Sequence, residues 1–102
     1  MVKLRTLQIW WNEFNIQYFG GLLRPVPIRI TRSRKYWGHF SDPPAIYIGR
    51  HLNKTNAETR DTLLHEMIHQ YLAQLGTSES DDHGPKFQEE YLRICGKNYS
   101  EP

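Results

Sequence analysis

Leu4, Leu7, Trp11, Phe14 and Tyr18 recur at three- and four-residue intervals, and Gly20-Gly21 closes the run. That spacing is one face of a helix ended by a left-handed cap; it predicts a helix over about residues 3–19 with its aromatic stripe in the core. After Pro25, the residues Val26, Ile28 and Ile30 alternate with Pro27, Arg29 and Thr31, the period of a strand with one buried face and an irregular or edge-like start. A basic turn, Arg32-Ser33-Arg34-Lys35, leads through Tyr36-Trp37-Gly38-His39-Phe40 into a short aromatic strand. Asp42-Pro43-Pro44 is a turn signal, and Ala45-Ile46-Tyr47-Ile48 reads as the third strand. Consecutive strands joined by short turns predict an antiparallel meander, which needs a helix on one face to be stable.

Thr55-Asn56-Ala57-Glu58 has the form of a capping box and opens a second helix. Leu64, Met67, Ile68, Tyr71, Leu72 and Leu75 lie at helical spacing along it, and Gly76 stands where a C-terminal cap belongs. Residues 77–82 form a polar loop that can turn the chain back on itself. Pro85 then suits the first position of a last helix whose inner face is Phe87, Tyr91, Ile94 and Cys95, closing at Gly96. Residues 98–102 read as a frayed tail; alternatively residues 99–102 could fold back into a cleft and inhibit it through their carboxylates. The expected fold is α+β, one domain over residues 1–102: an N-terminal helix, a three-stranded antiparallel sheet, a second helix and a C-terminal helix.

The second helix carries the chemistry. Within Leu63-Leu64-His65-Glu66-Met67-Ile68-His69-Gln70-Tyr71, two histidines four residues apart stand one above the other on one helix face, so both imidazoles can reach one metal ion. Glu66 projects beside them, placed to take a proton from a metal-bound water. This is the His-Glu-x-x-His pattern of metallopeptidases. A fixed zinc needs a third protein ligand: His83 offers one, and Glu89 or Glu90, about twenty residues beyond His69, offers another. Histidine-rich tetrahedral ligation makes one zinc per chain the expected cofactor. The oxyanion of peptide hydrolysis calls for a second donor, for which Tyr36, His39 and Tyr47 are candidates. His39 and His51 otherwise read as structural.

With His83-Gly84-Pro85-Lys86-Phe87 following the helix, the chain resembles the SprT-like metallopeptidase family. Trp11-Asn12-Glu13-Phe14-Asn15 and Tyr18-Phe19-Gly20-Gly21-Leu22-Leu23 are similar to that family's opening helix and turn. The resemblance implies a zincin-like core, a zinc-dependent endopeptidase with His65, His69 and His83 as ligands and Glu66 as general base, and action on proteins attached to DNA, as in DNA–protein crosslink repair. Many members add a zinc ribbon, which this chain, with one cysteine, does not contain. DNA contact would then fall to the core.

Composition sharpens this in two places. Net charge is +2, but residues 1–54 carry nine basic against two acidic residues, +7, and residues 55–102 carry −5. The basic half could face a polyanion, with Arg29, Arg32, Arg34 and Lys35 meeting phosphates while Tyr36 and Trp37 stack on bases of single-stranded or damaged DNA. The lone Cys95 excludes an internal disulfide and a four-cysteine zinc site, and points to a reducing, cytoplasmic setting. No apolar run is long enough for a signal peptide or membrane helix. A soluble monomer acting on a protein or peptide is therefore expected, against the alternative of a metal-holding nucleic-acid-binding module with little or no proteolysis.

Overall fold

The computed structural model describes residues 2–77 and 83–100. Its elements run α1 (Leu4–Phe19), β1 (Ile28–Thr31), β2 (Gly38–Ser41), β3 (Ala45–Gly49), α2 (Asn56–Gln74) and α3 (Pro85–Cys95). The α+β class and the order of elements are those expected. The loop residues 78–82, and the last two residues of the predicted tail, lie outside the described residues.

The sheet departs from the predicted antiparallel meander: its order is β1-β3-β2, with β2 antiparallel to β3 but β1 parallel to β3. Apolarity explains the arrangement. Ile46 and Ile48 are fully buried and Ala45 nearly so, so β3 belongs in the middle, where both neighbours cover it. A meander would have put β2, with Gly38 and an exposed His39, at the centre instead. Residues 32–37 need to cross only about two strand spacings, roughly 10 Å, to carry β2 past the place β3 will fill. Ser33 shapes that connection, its hydroxyl accepting from the amides of Lys35 and Tyr36.

Helices α1 and α2 pack with the sheet around Leu7, Trp11, Phe19, Ile46, Ile48, Leu63, Met67 and Ile68. The capping box predicted for α2 is formed in both directions, Thr55 Oγ1 accepting from Glu58 N at 3.1 Å and Glu58 Oε1 from Thr55 N at 3.0 Å. At the other end Gly76, with φ +70°, lets Thr77 N donate back to Leu72 O and Gly76 N to Ala73 O, the paired bonds of a Schellman stop. The buried face of α2 is rotated from the one its apolar spacing suggested. Leu63, Glu66, Met67, Ile68 and Gln70 are buried, while Leu75 is exposed. The polar members are accommodated because each has a partner or a site: Gln70 accepts from Trp11 Nε1 at 3.3 Å and donates to Arg24 O at 2.7 Å. Asn15 holds the same turn from α1 through two bonds to the backbone of Leu23. These contacts brace the C-terminal half of α2 from behind. Among the described residues no helix is long and apolar enough to cross a membrane.

Candidate metal centre and cleft

One turn of α2 separates His65 from His69, and their Nε2 atoms lie 3.2 Å apart. His83, just before the Gly84 N-cap of α3, brings a third Nε2 to 3.1 Å from that of His65. Its backbone is fixed by Gln88 Nε2, which donates to His83 O at 3.1 Å. Beneath the three rings lies Phe87, fully buried, with ring centroids 4.8, 4.7 and 4.8 Å from those of His65, His69 and His83. The helical spacing that assigned Phe87 to the core contained no sign that it would also be the floor of the site.

These three histidines form the one group of three or more potential metal ligands among the described residues, with their donor atoms all within 4.8 Å of one another. Three imidazole nitrogens turned toward one point cannot all share protons, and facing lone pairs repel unless a cation lies between them. Zinc–nitrogen bonds of about 2.0–2.1 Å in tetrahedral geometry put ligand nitrogens roughly 3.3 Å apart, close to the two separations here. Burial, followed by the charges His69 and His83 would carry, pushes the pKa of His65 down to about 3. Its imidazole is thus held neutral, the form a metal ligand requires. The donor set fits zinc. Of the alternative third ligands, Glu90 is engaged by Arg93 at 2.6 Å and Glu89 is exposed; neither joins the cluster.

Glu66 is 5 % exposed, with Oε2 4.0 Å from His65 Nε2. It faces Gly38, the first residue of β2, across a cleft whose walls are α2 and the edge of the sheet. One side of the cleft, about 470 Å³, is lined by Tyr36, Gly38, His39, Phe40, Leu72 and Ala73 together with the histidines and Glu66. The other, about 540 Å³, runs past Lys35 and Trp37 toward Asp61 and Tyr91. Of the candidate oxyanion donors, Tyr36 is at the cleft; His39 borders it, but its ring lies beside that of Tyr47 on the sheet face opposite Gly38, and Tyr47 is not among the cleft's lining residues. Tyr91 donates to Asp61 at 3.3 Å, and burial, then that carboxylate, raises the phenol's pKa.

The tail is not frayed at Tyr99. Its half-buried ring lies 5.2 Å from that of His65 and 4.8 Å from that of His83, and also packs on Phe87 and Tyr91. An aromatic residue after a glycine-capped helix was the available signal.

Of the basic residues singled out in the sequence, Arg29, Arg32, Arg34 and Lys35 are exposed, Tyr36 is 63 % exposed and Trp37 is half-buried. Folding adds neighbours that linear sequence separated from them. Thr31 pairs with Gly49, which sets Arg32 beside Arg50. His51, its pKa lowered by desolvation and then by Arg34, Arg50, Arg32 and Lys54, lies among four cations. None of those four makes an ion pair among the described residues.

Comparison with known families matches residues 7–101 to the family described as SprT-like. Comparison with curated proteins found no match. Among solved structures, the crystal structure of the metallopeptidase zymogen of Methanocaldococcus jannaschii jannalysin superposes with a TM-score of 0.62. The two share 19 % sequence identity over 88 % of this chain and 86 % of that one, a likeness of fold.

Proposed function

Because the chain belongs to the SprT-like family, we propose that it is a zinc-dependent endopeptidase in which His65, His69 and His83 hold the metal and Glu66 is the general base. The observation that carries this reading is the convergence of three Nε2 atoms beside one buried carboxylate in an open cleft. The metallopeptidase fold of jannalysin supports it. Zinc, when bound, supplies a Lewis acid that polarises the peptide carbonyl and makes water acidic near neutral pH. Glu66 takes the proton from the attacking water and hands it to the departing amine. Tyr36, at the cleft wall, is the candidate to donate to the oxygen that gains negative charge; His39, whose ring lies beside that of Tyr47 on the sheet face opposite Gly38, is not.

The sheet edge supplies a way to hold the substrate. Gly49 N donates to Trp37 O, so Gly38–Ile48 and Phe40–Ile46 are the pairs without mutual hydrogen bonds. The backbone groups of Gly38 and Phe40 therefore point away from β3, along the cleft, where an extended peptide can add as a further strand. The exposed cations, Arg29, Arg32, Arg34 and Lys35 with Tyr36 and Trp37, extended by Arg50 and Lys54, would engage single-stranded DNA and bring DNA-associated proteins to this cleft. A second feature bears on activity: Tyr99 occupies one side of the cleft, which supports a latent form opened by displacement of the tail, and jannalysin was itself crystallised as a zymogen.

The test compares the native chain with Glu66→Gln for metal content and for cleavage of a denatured protein, with and without single-stranded DNA. One zinc in both chains, cleavage by the native chain alone, and stimulation by DNA are expected. Equal cleavage by both chains would refute Glu66 as the base, and zinc without cleavage under any condition would favour a metal-holding binding module.

A further inference from the structure

Gly38 has a φ that any residue adopts, so conformational freedom does not account for it. Space does. A methyl group on Gly38 would stand 2.8 Å from Thr62 Cγ2, 2.9 Å from Glu66 Oε2 and 3.0 Å from Tyr47 O. The Glu66 carboxylate thus fills the gap left by an absent side chain, with the rim strand on one side and His65 on the other.

That gap is gauged by a buried polar knot. Asn53, fully buried, donates through Nδ2 to Trp37 O at 2.8 Å and to Gly49 O at 2.7 Å. Its Oδ1 accepts from Thr62 Oγ1 at 2.6 Å. Trp37 is the residue before Gly38, and Thr62 lies one helical turn before Glu66. One amide therefore grips both walls of the gap, and a buried, fully satisfied amide is stiff because losing any partner strands a polar group in the interior.

We infer that Asn53, Thr62 and Gly38 are positioning residues that fix the separation of the rim strand from α2 and so hold the Glu66 carboxylate in register with the histidine cluster. This rests on Glu66 being the general base. The side-chain hydrogen bonds of the knot go to Trp37, Gly49 and Thr62 and to none of the three histidines, so its loss should disturb proton transfer while leaving the metal in place. A misplacement of about 1 Å at a reacting group can cost on the order of a hundredfold in rate.

The test uses the full chain with Gly38→Ala, Thr62→Val and Thr62→Ser. Thr62→Val removes the hydroxyl at constant shape; Thr62→Ser keeps it. Gly38→Ala and Thr62→Val should each retain one zinc and lose about tenfold or more in kcat with KM within about twofold, and Thr62→Ser should stay within about threefold of the native kcat. Crystal structures of the metal-free variants give a reading independent of turnover: the Glu66 carboxylate should leave its 4.0 Å station beside His65 in Gly38→Ala and Thr62→Val and keep it in Thr62→Ser. Should Gly38→Ala fail to fold, Thr62→Val against Thr62→Ser decides. Native kcat in Thr62→Val, an unmoved carboxylate, or zinc lost in step with activity overturns the inference. An active Glu66→Gln chain removes the general-base reading and this one with it; a silent Glu66→Gln chain beside an unimpaired Thr62→Val removes this one alone.

Discussion

Replacing Phe87 separates what holds the fold from what holds the metal. Its ring is fully buried and touches all three histidine rings. Phe87→Ala should cost about 3–5 kcal/mol through lost burial and the cavity left behind. That is much of the roughly 5–15 kcal/mol available to a domain, so the variant would be poorly populated and uninformative about the site. Phe87→Leu keeps most of the volume and should cost about 1–2 kcal/mol. What it removes is the flat surface that sets the tilt of the imidazoles. Weakened support for metal ligands typically lowers affinity about 10–100-fold, which is about 1.4–2.7 kcal/mol of zinc-linked stability. Urea unfolding of the native chain and Phe87→Leu, metal-free and in the same excess of zinc, reads both quantities, and competition against a chromophoric chelator checks the affinity directly. The stabilisation gained from zinc should be smaller in Phe87→Leu by that amount. An identical gain in both chains would refute the reasoning and return Phe87 to the core alone.

Two further outcomes follow from the site. The folded-state pKa of His65, about 3, lies below its usual 6.5; between those values the unfolded chain takes up a proton that the folded chain refuses, so stability is full above the upper value and falls as pH drops toward the lower. Metal-free urea midpoints should decline through that window, and His65→Gln should flatten the decline; a parallel slope in the variant would contradict it. Deleting residues 99–102 should raise the rate of cleavage of a denatured protein, because Tyr99 packs against His65 and His83. An unchanged rate with unchanged zinc content would exclude latency through this segment.

Local signals in the sequence were sufficient for the helices. The stripe from Leu4 to Tyr18, the Thr55–Glu58 box and the glycines at 20, 76 and 96 each act through neighbours a few residues away, and α1, α2 and α3 fall where those signals put them. Strand order was not legible, because a turn declares how two strands meet but not which strand the core will draw to the centre. The rotation of α2's buried face was hidden for a similar reason: Leu75 looks apolar and Gln70 polar until Trp11 and Arg24 supply partners that linear spacing cannot reveal. His65, Glu66 and His69 were legible as a constellation because one helix turn sets their geometry. The choice of His83 over Glu89 and Glu90 depended on how α3 docks, and the roles of Gly38 and Asn53 were not legible because they lie in what these residues leave room for or tie together across the chain.

The position of β2 at the rim of the sheet has a cost in concentrated solution. An unpaired strand edge will accept any extended backbone, including that of another copy, and this is a familiar route to aggregation. Here the exposure is rationed. β2 is four residues long, with Pro43 and Pro44 just beyond it, and prolines cannot extend a ladder. Gly38 and Phe40 leave two donors and two acceptors, a short edge for a fibril to start from and, on the proposed reading, one long enough to hold a short extended segment. On the proposed endopeptidase reading, such brevity would favour release after a cut and would make flexible, unfolded segments better substrates than a stable strand.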